Sequence, residues 1–485
     1  MPPPAPGAPG TPIASLPTAV VGFVGAADTG PVGVPVTVSS AADYHAVFGP
    51  TLDADRPLGH AVDLFFGNGG QEAVVVRAAG PAAEQLVPPA GPGGVHALDD
   101  AGVTVLVVPG LTTDHPDQVR VALARCAAYR AVLLLDLPAG PWSARTRSSL
   151  DGLTEHRERA ATYHPWVVVD GQAVPPSGAV AGVVARTDLE RGVWKAPAGV
   201  ELRGIGGFTE SLDRLRTDEL TGAGVNALRE FPGRGRLVWG ARTLAGAGAG
   251  DPGVRYLPVR RLTDHVLRSL VAGLRAVEGE PNDPALWAQA RRLTEDFLHA
   301  LWRQGAFAGA RADDAFGARC GPGETMTEAD VSAGRVVVSF WMAPLRPAEF
   351  DVHTLTLQTA ATPSDVPEAE GPDTDGSAGG RPDGPHQVSS RPDLVRVERR
   401  WTGLGRVDLG QVVSRYIGET EKNVGRVLDE AQGSGPALSF DEADALFGRR
   451  TRDGEAADRP EADDLPDEPA GSPDTDEPPD QPAPS

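Results

Sequence analysis

Cysteine, lysine and methionine are nearly missing from this 485-residue chain: it has two cysteines, three methionines and, in Lys195 and Lys422, its only lysines. Cys126 and Cys320 are far apart and show no CxxC or Cys/His spacing, which excludes a disulfide framework and a zinc ribbon and makes a reducing compartment the expectation. No run approaches eighteen apolar residues, and no charged segment followed by an apolar one opens the chain. Neither a membrane span nor a secretory signal is therefore expected, and the protein is read as cytoplasmic. The sequence also lacks a GxxxxGK[ST] phosphate cradle, HExxH, GxSxG, and a GxGxxG between strand and helix. No catalytic residue, cofactor or metal is expected, and the ten histidines are scattered singly.

What is abundant is glycine and proline, 59 and 46 residues, crowded into the first eleven positions, a stretch near 362–392, and the end. The net charge of −22 is equally local. Residues 451–485 carry twelve acids against Arg452 and Arg459, and 362–390 carry six against Arg381, so the remainder is only mildly acidic. That balance disfavours nucleic-acid binding. The chain is read as a disordered arm over 1–17, a large domain over 18–245, a smaller one over 246–361, an acidic linker over 362–393, an island over 394–450, and a disordered acidic tail over 451–485.

Within the large domain, apolar runs of the buried-strand type alternate with helical spacing. Residues 18–25, 73–76, 103–108, 132–137 and 166–169 read as strands, and 58–66, 117–128 and 148–162 as helices. Ser39 and Ser40 cap a short helix through Tyr44 and Val47. This alternation predicts an α/β layered domain with a largely parallel sheet. From Val254 the texture becomes α+β: a strand over 256–259, a helix to about Val277, a helix opened by Asp283 and Pro284, and strands over 336–342 and 350–357.

Several blocks together resemble the tail sheath proteins of contractile phage tails and phage-like injection systems. They include Phe66-Gly67-Asn68-Gly69-Gly70, Tyr163-His164-Pro165-Trp166, Gly192-Val193-Trp194-Lys195-Ala196-Pro197, Val238-Trp239-Gly240-Ala241-Arg242, and Arg255-Tyr256-Leu257-Pro258-Val259. The most diagnostic lie further on, from Glu280-Pro281-Asn282-Asp283 through Leu286-Trp287 and Thr325-Met326-Thr327 to Pro347-Ala348-Glu349-Phe350. The resemblance spans about 18–360. It implies a subtilisin-like α/β domain without a protease nucleophile, then a smaller α+β sheath domain. The function it implies is mechanical: subunits stack as hexameric rings around an inner tube, with baseplate and tail-terminator proteins as further partners and no membrane insertion.

Family members link neighbouring subunits by lending strands from both chain ends. The C-terminal strand of this chain carries Phe350, Val352, Leu355 and Leu357 as its candidate linkage residues, with an apolar phase shift between Val352 and Leu355 of the kind a bulge produces. Pro2, Pro3, Pro4, Pro6, Pro9 and Pro12 depart from the family's β-prone arm. Either 12–16 suffice for linkage, or this chain is an assembly-deficient paralogue with a regulatory or capping role.

Residues 404–450 resemble part of an AAA+ ATPase. Tyr416-Ile417-Gly418 is similar to a pore loop, and Asp441 and Glu442 to a Walker B pair. Without a phosphate loop that pair has no nucleotide to act on, so the fragment implies either a vestige or a docking element for a cognate AAA+ ATPase, not an active one.

Overall fold

The computed structural model describes residues 11–50, 56–246, 251–275 and 280–359, and the backbone of 395–402. The chain enters through β1 (Val21–Gly25), β2 (Pro35–Val38), α1 (Ala41–Phe48), α2 (Leu58–Gly67), β3 (Ala73–Arg77) and α3 (Ala83–Leu86). Strand and helix then alternate through β4 (Val105–Val107), α4 (Pro116–Tyr129), β5 (Val132–Leu135), α5 (Ala144–Asp151) and β6 (Ala160–His164). A small excursion, β7 (Val167–Val169) and β8 (Gln172–Val174), leads to α6 (Ser177–Arg191), β9 (Val200–Glu201) and β10 (Gly207–Phe208). The segment closes with α7 (Arg214–Gly222), β11 (Val225–Phe231) and β12 (Gly235–Trp239).

These strands form a nine-stranded sheet in the order β2-β3-β1-β4-β5-β6-β11-β12-β9, with β10-β7-β8 as a separate sheet. The ladders from β3 across to β11 are parallel, and β2, β12 and β9 join antiparallel at the two margins. The sheet is thus mixed, with a parallel centre. Its central strands β4, β5 and β6 are buried at every position because helices cover both faces. Val105, Val107, Val132 and Leu134 pack into one cluster with α2 and α6, whereas Leu106, Val108, Leu133 and Leu135 pack into the other with α4. Alternate side chains of one strand therefore serve two cores.

Two elements differ from the sequence reading. The helix expected over 148–162 ends at Asp151, and Ala160–His164 is the fully buried strand between β5 and β11. The slot between β5 and β11 takes Ala160-Ala161-Thr162-Tyr163-His164 as an extended segment. Helix α6, which carries Gly178 and Gly182, was not anticipated. Those glycines are the contact with α2: a Cβ at 178 would lie 2.3 Å from the Ala61 carbonyl oxygen, and one at 182 would lie 2.4 Å from that of Phe65.

The second part begins with α8 (Pro252–Arg255) and α9 (Leu257–Leu274), so the strand expected over 256–259 is instead the first turn of a helix with Pro258 near its start. Next come α10 (Pro284–Arg303), whose N-cap Asp283 accepts from the Leu286 amide at 2.9 Å, β13 (Phe316–Cys320), α11 (Glu328–Ser332), β14 (Arg335–Met342) and β15 (Phe350–Gln358). A last strand, β16 (Val395–Thr402), completes an antiparallel sheet in the order β13-β14-β15-β16. Cys126 and Cys320 are both buried free thiols.

Buried ion pairs lock α9 to the large sheet. Arg261 grips Asp188 at the end of α6 with bonds of 2.8 and 2.7 Å, and Asp264 pairs with Arg159 just before β6. Removing one partner of such a pair leaves a buried charge uncompensated. The arm boundary at residue 17 also moves, since residues 11–17 lie along α9. The Leu16 amide donates to Ser269 Oγ at 3.1 Å, Ser15 Oγ sits 3.0 Å from His265 Nε2, and Ile13 fills the space where Gly273 has no side chain. The prolines exclude a regular strand there, but not docking of the apolar residues between them.

Candidate subunit-linkage site

Strand β15 carries the four candidate linkage residues, and its neighbours explain where each points. It pairs antiparallel with β14 from Asp351↔Met342 to Gln358↔Arg335, one residue against one throughout, so the expected bulge is not present. The apolar phase shift has a different cause. Asp351 and His353 occupy core-facing positions and are fully buried, as are Leu355 and Leu357 in the same phase.

The polar pair is accommodated by specific contacts. Thr263 on α9 donates to Asp351 Oδ2 at 3.1 Å, His353 Nε2 lies 3.1 Å from the same oxygen, and the imidazole stacks on Phe340 with centroids 5.2 Å apart. Sequence reasoning passed over both residues. Their signal was the loss of apolar character at two alternate positions of an otherwise apolar phase.

Phe350 and Val352 therefore face away from Leu355 and Leu357. On the outer face they adjoin Trp341, which pairs with Val352 in register and meets the Phe350 ring edge-on at 6.4 Å. Trp341 lies across Gly317, where a Cβ would come within 2.3 Å of the indole, and the Arg319 guanidinium stands 5.5 Å from the ring centroid. The four residues divide into two core anchors and two members of a half-buried aromatic outer face. The inner face packs on α9 and α10 through Leu267, Leu270, Phe297 and Leu301. Both edges of β15 are in use, because β16 pairs with it from Phe350↔Thr402 to Leu357↔Val395. Residues 395–402 thus belong to this sheet. Asp441 and Glu442 lie outside the described residues.

His164, the histidine in the Tyr163-His164-Pro165-Trp166 block, is buried at the end of β6. Its Nε2 lies 2.8 Å from Glu210, which also accepts from the Trp142 amide at 3.1 Å, and burial holds its pKa below the ordinary histidine value. Asp136 is likewise buried. Burial raises its carboxyl to about 7, opposed by bonds from the Ser177 hydroxyl and amide and the Gly110 amide. No group of His, Cys, Asp and Glu among the described residues is arranged to hold a metal ion.

The fold has counterparts among solved structures. It overlays the helical sheath of the anti-feeding prophage in its contracted state with a TM-score of 0.59 at 30% identity, covering 71% of this chain and 95% of that one. The chain belongs to the phage tail sheath family. A family profile described as the phage tail sheath protein central domain matches residues 96–244. The sheath complex of the extracellular contractile injection system PVC, also contracted, overlays with a TM-score of 0.60 at 29% identity, covering 70% of this chain and 92% of that one. A protein of Pseudomonas aeruginosa (strain UCBPP-PA14), named as a prophage major tail sheath protein, is 28% identical over 207 residues. That match covers 40% of this chain and 48% of the relative, so the chain spans about half the length of this curated relative. The shared region in the solved sheaths is nearly their whole chain.

Proposed function

We propose that this chain is the structural sheath subunit of a phage-tail-like contractile injection system. It polymerises as stacked hexameric rings around an inner tube and drives that tube by contraction. The observation that carries this reading is the overlay on contracted sheaths across more than nine-tenths of their length. A contact that repeats along a helix is heterologous and does not close, so each subunit needs two different surfaces and a linkage that survives rigid-body rotation. The α/β layer, read as the family's subtilisin-like part, serves as the rigid body, and the C-terminal sheet serves as the linkage, with Leu355 and Leu357 anchoring β15 and Phe350 and Val352 facing neighbours. Energy stored in subunit contacts calls for no cofactor, and the role is mechanical.

Assembly takes place in the cytoplasm, with the inner tube, baseplate and tail-terminator proteins as further partners. Electron microscopy of the full chain, alone and with an inner tube protein, tests the proposal. Striated tubes of phage-tail width are expected. A chain that stays monomeric at high concentration with the tube present overturns it.

A further inference from the structure

The pairing of β16 raises a question that the sheath reading leaves open, namely why a chain would cover its own linkage strand. Strand β15, FDVHTLTLQ, holds a single carboxylate, no lysine or arginine and several β-branched residues, so as an edge it would be a ready template for another chain. Strand β16, VRVERRWT, has four charged residues among its eight. Charge on an outer strand is the usual protection against further pairing. The eight-position ladder from Phe350↔Thr402 to Leu357↔Val395 replaces an unprotected edge with a protected one.

The connection matters as much as the pairing. Thirty-six residues separate Gln358 from Val395, where a tight hairpin uses two to five. A connection of that length keeps β16 at an effective concentration on the order of millimolar near its own edge. A micromolar strand from another copy therefore loses by roughly a thousandfold. Within a polymer the neighbour's strand is held at a comparable local concentration, and the advantage disappears.

We propose that residues 395–402 form a displaceable cap: they close the β15 edge within the free subunit, and a second copy of this chain displaces them as the polymer grows. This rests on the sheath reading above. The cap raises the concentration at which subunits associate spontaneously while leaving growth on an existing end available. It acts on the edge of β15 only, so the core face with Leu355 and Leu357 is undisturbed by its departure.

The test uses the full chain carrying Thr354→Cys and Glu398→Cys, a register pair of β15 and β16. The native Cys126 and Cys320 are buried, so the introduced pair is the reactive one. Oxidation at micromolar concentration is expected to give an intrachain bond in nearly every molecule. The locked chain is expected not to pellet as tubes, and reductant should restore assembly. In a second variant, Val397→Pro with Glu398→Pro, the ladder is broken and the pelleting threshold is expected to fall at least tenfold. Failure of the intrachain bond to form, or a locked chain that polymerises at the threshold of its reduced form, overturns the cap. If the parent chain forms no tubes under any condition the sheath reading is what fails, and the bond alone then decides whether the cap exists.

Discussion

The two sheets of this chain solve the same packing problem in opposite ways. In the large sheet β1, β4, β5 and β6 are buried at every position, and helices on both faces leave no free surface on the central strands. In the C-terminal sheet β13, β14 and β15 alternate between buried and half-buried positions, one face against α9 and α10 and the other carrying Trp341, Phe350 and Val352. A sheet enclosed on both faces makes a rigid body. One with an outward face suits a joint, and under the proposed sheath function the first would rotate as a unit while the second carries the linkage.

The strongest way to break this contrast is to attack the rigid body where it has no slack. Gly178 brings α6 against the backbone of α2, so Gly178→Val must push the two helices apart and disturb the cluster between them and the sheet. A loss of about 3 kcal/mol, the upper end for such overpacking, is expected, read as a lower denaturant midpoint. A midpoint within error of the parent would show that the helix contact is softer than the fold implies.

The corresponding change in the joint is Leu355→Ala. Leu355 is fully buried on the core face of β15, and its truncation should cost about 3 kcal/mol. An effect below about 1 kcal/mol would mean that β15 leaves the sheet readily in the free subunit, and would weaken the division into anchors and outward residues.

Between the two parts lies His265 on α9, beside Ser15 of the arm. Burial, with Arg268 and Arg261 nearby and Asp188 opposing them, lowers its pKa to about 4. Because the folded value is below the unfolded one, the neutral ring contributes its full stability above pH 6.5, and that stability is lost as the pH falls from 6.5 toward 4. The loss between pH 7.5 and pH 5 should be about 2 kcal/mol. His265→Gln should flatten that part of the pH profile, and a parent profile with no acid slope absent from the variant would refute the assignment.

Which parts of this were legible in the sequence follows from how local the cause was. The buried strands β1, β3, β4 and β5 announce themselves as short apolar runs, and α1, α4 and α10 through Ser40, the apolar spacing of α4, and Asp283 with Pro284. Strand β6 and helix α6 were not legible, because their form is imposed by neighbours: a slot between two strands, and an approach to α2 that only small residues permit. At the linkage site the strand itself was plain, but the phase break at Asp351 and His353 read as a bulge. Its true cause, a buried polar pair met by Thr263 from a distant helix, is visible only once the chain has folded. The ladder to β16 was equally hidden, since no local pattern links residues separated by a long connection.

The smallest expected effect on the subunit is the most specific test of its outer face. Val352→Thr keeps the β-branched shape that suits a strand and changes one methyl to a hydroxyl on a half-buried position beside Trp341. For the isolated chain the change should stay within about 0.5 kcal/mol, as surface substitutions usually do. If the aromatic face is where copies meet, the same hydroxyl loses its water in every repeat of the polymer, and the pelleting threshold should rise severalfold while the melting curve hardly moves. Parallel loss of stability and assembly would instead make Val352 part of the core, and equal thresholds for parent and variant would remove this face from the subunit contacts.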